Sequence, residues 1–236
     1  MNTALRIPLD TTAEQQARLV ALQSAFAAVC NALSPIVQQT RVWNRVALHH
    51  MAYKGLRERF PALGSQMVCN AIYSVSRASR LIFQTPGSPF HVSRLAGRPM
   101  PLLRFTDTCP VYFDRHTLSL KQGQVSMFTL DGRMKFQLDL SPQQEAAFHT
   151  RKLLEIVLQR VGTQFELGFQ FGTQTEAAAA PALLQPGSPS PLPNPESPLE
   201  PMAEDGPSVA EFAAGKAGEA PPPLIFPDYL KVEDHA

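Results

Sequence analysis

An α+β fold is predicted for this 236-residue chain, and three observations predict it. Apolar residues recur at helical spacing from residue 12 to residue 83. From residue 103 to residue 171 the period falls to two, with tight-turn dipeptides between the runs. Charge then marks where the folded part stops: residues 1–175 carry 19 Lys and Arg against 10 Asp and Glu, and residues 176–236 carry 2 against 10. The overall net charge of +1 therefore sums a basic body and an acidic tail. A basic body is suited to polyanions, because neutralising phosphates releases counterions.

Leu5, Ile7 and Leu9 alternate with Arg6 and Pro8 and read as a first strand. Thr11 stands three residues before Glu14, a capping-box spacing that opens a helix over residues 12–33. Leu19, Leu22, Phe26, Val29, Cys30 and Leu33 form its apolar stripe, and Pro35 is expected to end it. A second helix is expected over residues 37–60, with Val42, Val46, Tyr53, Leu56 and Phe60 inward, stopped by Pro61 and Gly64. Ser65 is expected to cap a third helix reaching residue 83. Residues 85–98 read as a loop rich in Pro, Gly and Ser. Strands are expected at 103–105, 111–113, 117–121, 124–130, 133–138, 152–160 and 165–171, with turns at Gln122-Gly123, Asp131-Gly132 and Gly162-Thr163. The simplest architecture is a small OB-like β-barrel from residues 1–10 and 99–172, with a three-helix bundle, residues 11–98, inserted after its first strand.

Residues 173–236 are expected to be disordered. They hold 13 of the 22 prolines and show no period between residues 181 and 207. One island, residues 223–230, is apolar: Leu224, Ile225, Phe226, Tyr229 and Leu230 suit a motif docking on a partner or on the basic body, or else a chain end with chance apolar content. Cys30, Cys69 and Cys109 lie far apart, which excludes a disulfide framework or zinc ribbon and makes each a small core hydrophobe. The first ten residues lack a signal-peptide apolar region, and no run of 18 apolar residues is found, so no membrane association and a cytoplasmic location are expected.

Four stretches, taken in order, resemble one family. Residues 12–31 (TAEQQARLVALQSAFAAVCN) resemble the opening helix of TnpB, the transposon-encoded RNA-guided nuclease from which type V CRISPR effectors derive. Residues 63–79 (LGSQMVCNAIYSVSRAS) resemble its third helix, residues 111–138 its wedge-barrel hairpins, and residues 151–171 the strand pair before its catalytic domain. The resemblance covers residues 3–172. It implies a wedge-and-recognition module that binds a structured guide RNA and a double-stranded DNA target, in a prokaryotic cytoplasm and at the nucleoid when DNA-bound. In that family a RuvC-like domain follows, whose carboxylates hold two metal ions. Here residue 171 leads into the acidic, proline-rich stretch, so no nuclease activity is expected, no metal site, and no cofactor in the protein beyond the guide RNA.

The second helix carries Arg41, Arg45, Lys54, Arg57 and Arg59 with Tyr53 among them, and positions 41, 45 and 49 form an i,i+4 ridge. It is either a face tracking an RNA backbone or a solvated face with Trp43 in the core. Ser65, Gln66, Asn70, Tyr73, Arg77 and Arg80 line the third helix. The resemblance turns the start of that helix toward the DNA motif flanking the target, where Gln and Asn suit adenine edges; the alternative is capping and ordinary surface polarity. Lys121, Arg133, Lys135, Arg151, Lys152 and Arg160 come from strands, Arg133 and Lys135 sharing a face, for contact with guide RNA or plain solvation. Adjacent His49 and His50 point about 100° apart on a helix and do not form a metal pair. Asp107 and Asp114 read as turn residues. No Ser/His/Asp set, Cys/His set or glycine phosphate loop is present.

Three functions fit this reading. The first is a nuclease-lacking TnpB-like protein acting by occupancy or recruitment. The second is a non-catalytic subunit of a multi-protein RNA-guided effector, partnered through the acidic tail with activity supplied in trans. The third is a truncated transposon remnant. A surface left uncovered by a missing domain is expected to pair as a homodimer or with a protein partner.

Overall fold

The computed structural model describes residues 3–95, 97–172 and 226–234. Thr3–Pro8 (β1) precedes three helices, Ala13–Thr40 (α1), Arg45–Arg59 (α2) and Ser65–Gln84 (α3). Then follow Leu102–Phe105 (β2), Val111–Phe113 (β3), Leu118–Lys121 (β4), Gln124–Thr129 (β5), Gly132–Gln137 (β6), the helix Pro142–Thr150 (α4), Leu153–Val161 (β7) and Gln164–Phe171 (β8), and finally Leu230–Glu233 (β9). The fold is α+β, and every strand pairing among the described residues is antiparallel. One sheet has the order β1-β8-β7-β3, a second is the meander β4-β5-β6, and the third pairs β2 with β9. Thr3 lies opposite Phe171, so the first strand closes on the last strand of the body and the helices are inserted between them.

The helices meet the sheets along one apolar seam. It includes Leu19, Leu22, Phe26, Cys30 and Leu33 from α1, Val68, Ile72 and Val75 from α3, and Phe165, Leu167, Phe169 and Phe171 from β8. A polar row runs through the same side of α1. Gln16 Nε2 donates to the Thr163 carbonyl at 2.8 Å, Gln23 Nε2 to that of Cys109 at 3.2 Å and Gln38 Nε2 to that of Met100 at 2.9 Å. Asn31 does more. It accepts from the Phe105 N–H at 2.8 Å and donates to the Phe105 carbonyl at 2.9 Å, so its carboxamide pairs with β2 as a neighbouring strand would.

Five expectations are corrected. The capping box that opens α1 is Thr12 with Gln15, one residue after the expected Thr11 and Glu14. The first helix does not end at Pro35 but runs through it to Thr40. An interior proline costs about 3 kcal/mol, and burial of Leu33 and Val37, worth about 1.5–3 kcal/mol each, offsets it. Arg41 therefore caps α1 in the left-handed region (φ 57°), with its N–H on the Val37 carbonyl, and is not on α2. The second helix starts after Asn44, whose side chain accepts from the N–H groups of Val46 and Ala47; its inward residues are Leu48, Ala52 and Leu56, and Val46 is exposed. The N-cap of α3 is Gly64, with no side-chain cap, and Ser65 is the first helical residue. Helix α4 has no counterpart among the expected elements; Ser141 and Gln144 form a capping box around Pro142 at its start.

With its extension, α1 is long and apolar enough by length and composition to cross a membrane. Leu19, Leu22, Phe26, Val29, Leu33 and Val37 of this helix are buried in the core, while Val20 is exposed. The three cysteines are free and buried, as expected of core hydrophobes.

The expected disorder of residues 173–236 is corrected in part. Residues 173–225, with Leu224 and Ile225, lie outside the described residues, but Phe226–Asp234 returns to the body. Leu230, Val232 and Glu233 lie opposite Phe105, Leu103 and Leu102. The Thr106 N–H donates to the Tyr229 carbonyl at 2.9 Å, and Phe226 packs near Phe90 with ring centroids 6.0 Å apart.

Two outcomes follow from this packing. Asn31→Leu leaves both main-chain groups of Phe105 unpaired and is expected to cost about 1–3 kcal/mol; urea unfolding measures it, and a loss below about 0.5 kcal/mol would show that β2 does not rely on the amide. Burial, with Cys109 next, pushes the Tyr229 phenol up to about 12. The folded state thus holds this proton above the unfolded value of about 10. The associated stability is complete below about pH 10 and is lost as pH rises from there through about 12. Tyr229→Phe should therefore lose less stability than the parent protein between about pH 9 and pH 11, and equal losses would remove Tyr229 from the linkage.

Candidate nucleic-acid interface

The meander β4-β5-β6 turns alternate residues outward. Val125, Met127, Met134 and Phe136 are buried. The opposite face carries Ser119 and Lys121 from β4, Gln124, Ser126 and Phe128 from β5, and Arg133, Lys135 and Gln137 from β6. No carboxylate is among these eight. Cross-strand neighbours are Phe128 with Arg133, Ser126 with Lys135, and Lys121 with Gln124. The β4–β5 turn keeps this face narrow: Gln122 and Gly123 both take positive φ, 51° and 73°, the pattern of a two-residue hairpin turn that matches strand twist. A side chain at Gly123 would meet the Gln137 amide at 2.8 Å and the Leu138 carbonyl at 3.3 Å.

Arg133 is fixed on this face without neutralisation. Its Nη1 donates to the Ser126 carbonyl at 2.9 Å and its Nη2 to the His116 carbonyl at 2.8 Å. Its guanidinium lies 5.2 Å from the centre of the Phe128 ring, which is 38% exposed. Carbonyl oxygens hold a guanidinium in place and leave its charge, so a phosphate reaching Arg133 meets a cation whose ordering cost is already met.

The start of α3 lies beside this face. A Cβ on Gly64 would stand 4.0 Å from the Phe128 ring. Ser65 is exposed, Gln66 Nε2 donates to the Asp114 carboxylate, and Arg57 donates to the Leu63 carbonyl. Asp114 in turn holds the β3–β4 turn, accepting from the N–H groups of His116 and Thr117 at 3.0 Å each, as expected of a turn residue. Of the sequence-selected residues, Arg133 lies opposite Phe128 with Lys135 on the same sheet face, Ser65 follows the glycine that comes closest to the Phe128 ring, and Lys121 stands at the far end of that face. Sequence reasoning missed Phe128, Ser126, Gln124 and Gln137; the period of two that placed Arg133 beside Lys135 also places them.

The remaining selected residues lie elsewhere. Arg41 is exposed and donates to the Arg98 carbonyl at 2.8 Å. Lys54 and Lys152 are exposed, and Arg80, Arg151 and Arg160 are half-buried. Tyr53 stacks on His49 with centroids 4.5 Å apart; burial, then His50 and Arg45, lower the His49 pKa. Asn70 is 1% exposed and donates to the Tyr112 carbonyl at 3.0 Å, so it presents nothing to a base edge.

Tyr73 and Arg77 are held by the buried carboxylate of Glu155. The Tyr73 hydroxyl donates to Glu155 Oε2 at 3.0 Å, and Arg77 Nη1 donates to the same oxygen. Tyr112 packs edge-on to Tyr73 at 5.4 Å and Arg45 lies 5.8 Å over the Tyr73 ring. Burial, then the Glu155 charge, push the Tyr73 phenol up. Burial opposes the Arg77 cation, but Tyr112, Glu155 and Tyr73 outweigh it and raise its pKa. This cluster joins α3 to β7 through an ion pair with a buried acid. A separate concavity of about 680 Å³ lies between β4, α4 and β7–β8, floored by Leu118, Phe148, Ile156 and Phe169. Among the described residues no group of three His, Cys, Asp or Glu could hold a metal ion.

No protein-family model matches the chain, and no curated protein matches it.

Glu155→Ala strands Arg77 and Tyr73 without their acceptor. A loss of about 3 kcal/mol is expected, at the low end for a broken buried pair because Arg77 keeps a path to water. Guanidinium chloride unfolding measures it, and a loss under about 1 kcal/mol would mean that solvent replaces the carboxylate.

Proposed function

We propose that the chain is a nucleic-acid-binding protein of the RNA-guided, TnpB-like kind. It takes a structured guide RNA and, with it, double-stranded DNA beside a short flanking motif. The observation that carries this reading is the outer face of β4-β5-β6, with three cations, an exposed aromatic ring and no acid. Phosphates pair with Lys121, Arg133 and Lys135, and an unpaired base stacks on Phe128. The start of α3 beside Phe128, with Ser65 and Gln66, is the element for the flanking DNA. Closure of β1 on β8 around an inserted helical segment supports the finer architecture proposed with it, an OB-like wedge carrying a three-helix recognition bundle. Such a protein acts by occupying its target or by recruiting another protein, without cutting the target itself.

The test has two parts. RNA that co-purifies with the full-length protein is expected to contain one discrete species with a constant scaffold and a variable end. Binding of that RNA is then measured against salt for the parent and for the Lys121→Ala/Arg133→Ala/Lys135→Ala variant. Each lost phosphate contact removes about 0.7 from the slope of log K against log salt for single strands, so a fall of about 2 is expected. A heterogeneous mixture that salt removes, or an unchanged slope, would overturn the reading.

A further inference from the structure

We propose that the edge of β2 turned away from α1, with Arg98 and Arg104 beside it, is a peptide-recognition site that takes an extended acidic segment by strand addition. Its occupant in this structure is the chain's own residues 226–234, and a partner carrying a segment of the same chemistry docks there in their place. This inference does not rest on the nucleic-acid reading.

The site is built from both sides of β2. Asn31 occupies both main-chain groups of Phe105 on the helix side. Main-chain groups alternate in direction along a strand, so Arg104 and the Thr106 N–H face the other way, where β9 pairs. That side is thus a single ready edge with only one place for an added strand. Recognition by such an edge combines main-chain pairing with pockets for alternate side chains. Leu230 is the anchor, 5% exposed. The Tyr229 ring packs on the core beside it, and Phe226 meets Phe90. The Leu230 N–H donates to the Pro227 carbonyl at 2.9 Å, so Pro227-Asp228-Tyr229 makes a turn that delivers the strand.

Charge sets the direction of entry. Arg98 Nη2 lies 3.0 Å from Asp234 Oδ2, and Arg104 Nε lies 3.1 Å from Glu233 Oε2. Both pairs are exposed, so each adds little affinity but fixes register and opposes a basic segment. The ligand class is therefore an aromatic residue, a Pro-Asp-aromatic turn, a leucine anchor and a short strand ending in two acids. Two features mark residues 226–234 as a docked ligand: 53 residues of sequence lie between Gly172 and Phe226, and among the described residues their strand pairs with β2 alone. Covalent attachment makes docking intramolecular, so the chain's own segment competes with any free peptide.

The test uses the full-length protein and a fluorescein-labelled peptide of residues 223–236, read by fluorescence anisotropy. Leu230→Asp in the protein spoils its own anchor, and it should bind the peptide at least about tenfold more tightly than the parent does. Should Leu230→Asp disturb folding by circular dichroism, Glu233→Lys/Asp234→Lys in the protein weakens the docked segment at exposed positions and should show the same gain. Adding Arg98→Glu/Arg104→Glu to either variant should abolish that gain, and in the Leu230→Asp protein a peptide with Glu233→Lys/Asp234→Lys should restore it. A folded variant that gains no peptide binding, or binding indifferent to the charge reversal, would overturn the proposal.

Discussion

The row of carboxamides on α1 is the constraint on which the arrangement of the two halves depends. Gln16, Gln23, Asn31 and Gln38 follow one another at seven or eight residues, about two turns each time at 3.6 residues per turn, so they share one face of the helix. Each one bonds a main-chain group, and the four partners belong to four separate pieces of the β part: the β7–β8 turn, the approach to β3, β2, and the residues before β2. Apolar contact between α1 and these strands is non-directional and would tolerate a slide along the helix. An amide bonded to one particular main-chain group would not, because a slide breaks that bond and, at the buried Gln23, leaves a polar group unpaired. The amides thus set the register in which the seam closes.

A similar division explains why basic residues that look alike in sequence differ in what they can do. Arg77 is spent on a buried acid and a phenol, and it ties α3 to the sheet. Arg98 and Arg104 are paired with the returning segment. Arg133 is held by main-chain carbonyls, which leave its charge unneutralised. The difference lies in the partner, and partners come from distant parts of the chain: Glu155 is 78 residues from Arg77, and Glu233 is 129 from Arg104.

Local signals in the sequence are sufficient wherever local physics decides. The strands from 102 to 171 fall within a residue or two of their expected places, because period-two alternation and the turn dipeptides act over a few residues. Proline at position 35 misleads, since its cost is local but the burial that outweighs it is tertiary. Gly64 displaces Ser65 as cap by one position, within the usual uncertainty of helix ends. Helix α4 is legible in Ser141-Pro142 and Gln144 but carries no apolar stripe to draw attention to it; none of its residues is buried. For the interface, charge finds the cations, while Phe128 escapes because an outward aromatic on a strand looks the same in sequence as an inward one until register is known.

The closure of β1 on β8 also governs the order in which the molecule can assemble. The helices α1–α3 and the meander make contacts close in sequence and can form early. Thr3 cannot meet Phe171 until nearly the whole body has been synthesised. Ring closure over that length carries a larger entropic cost than any other pairing in the body, and contacts so distant are the slow ones. The first strand made is thus among the last to find its partner, and until then β8 presents an open edge to other chains.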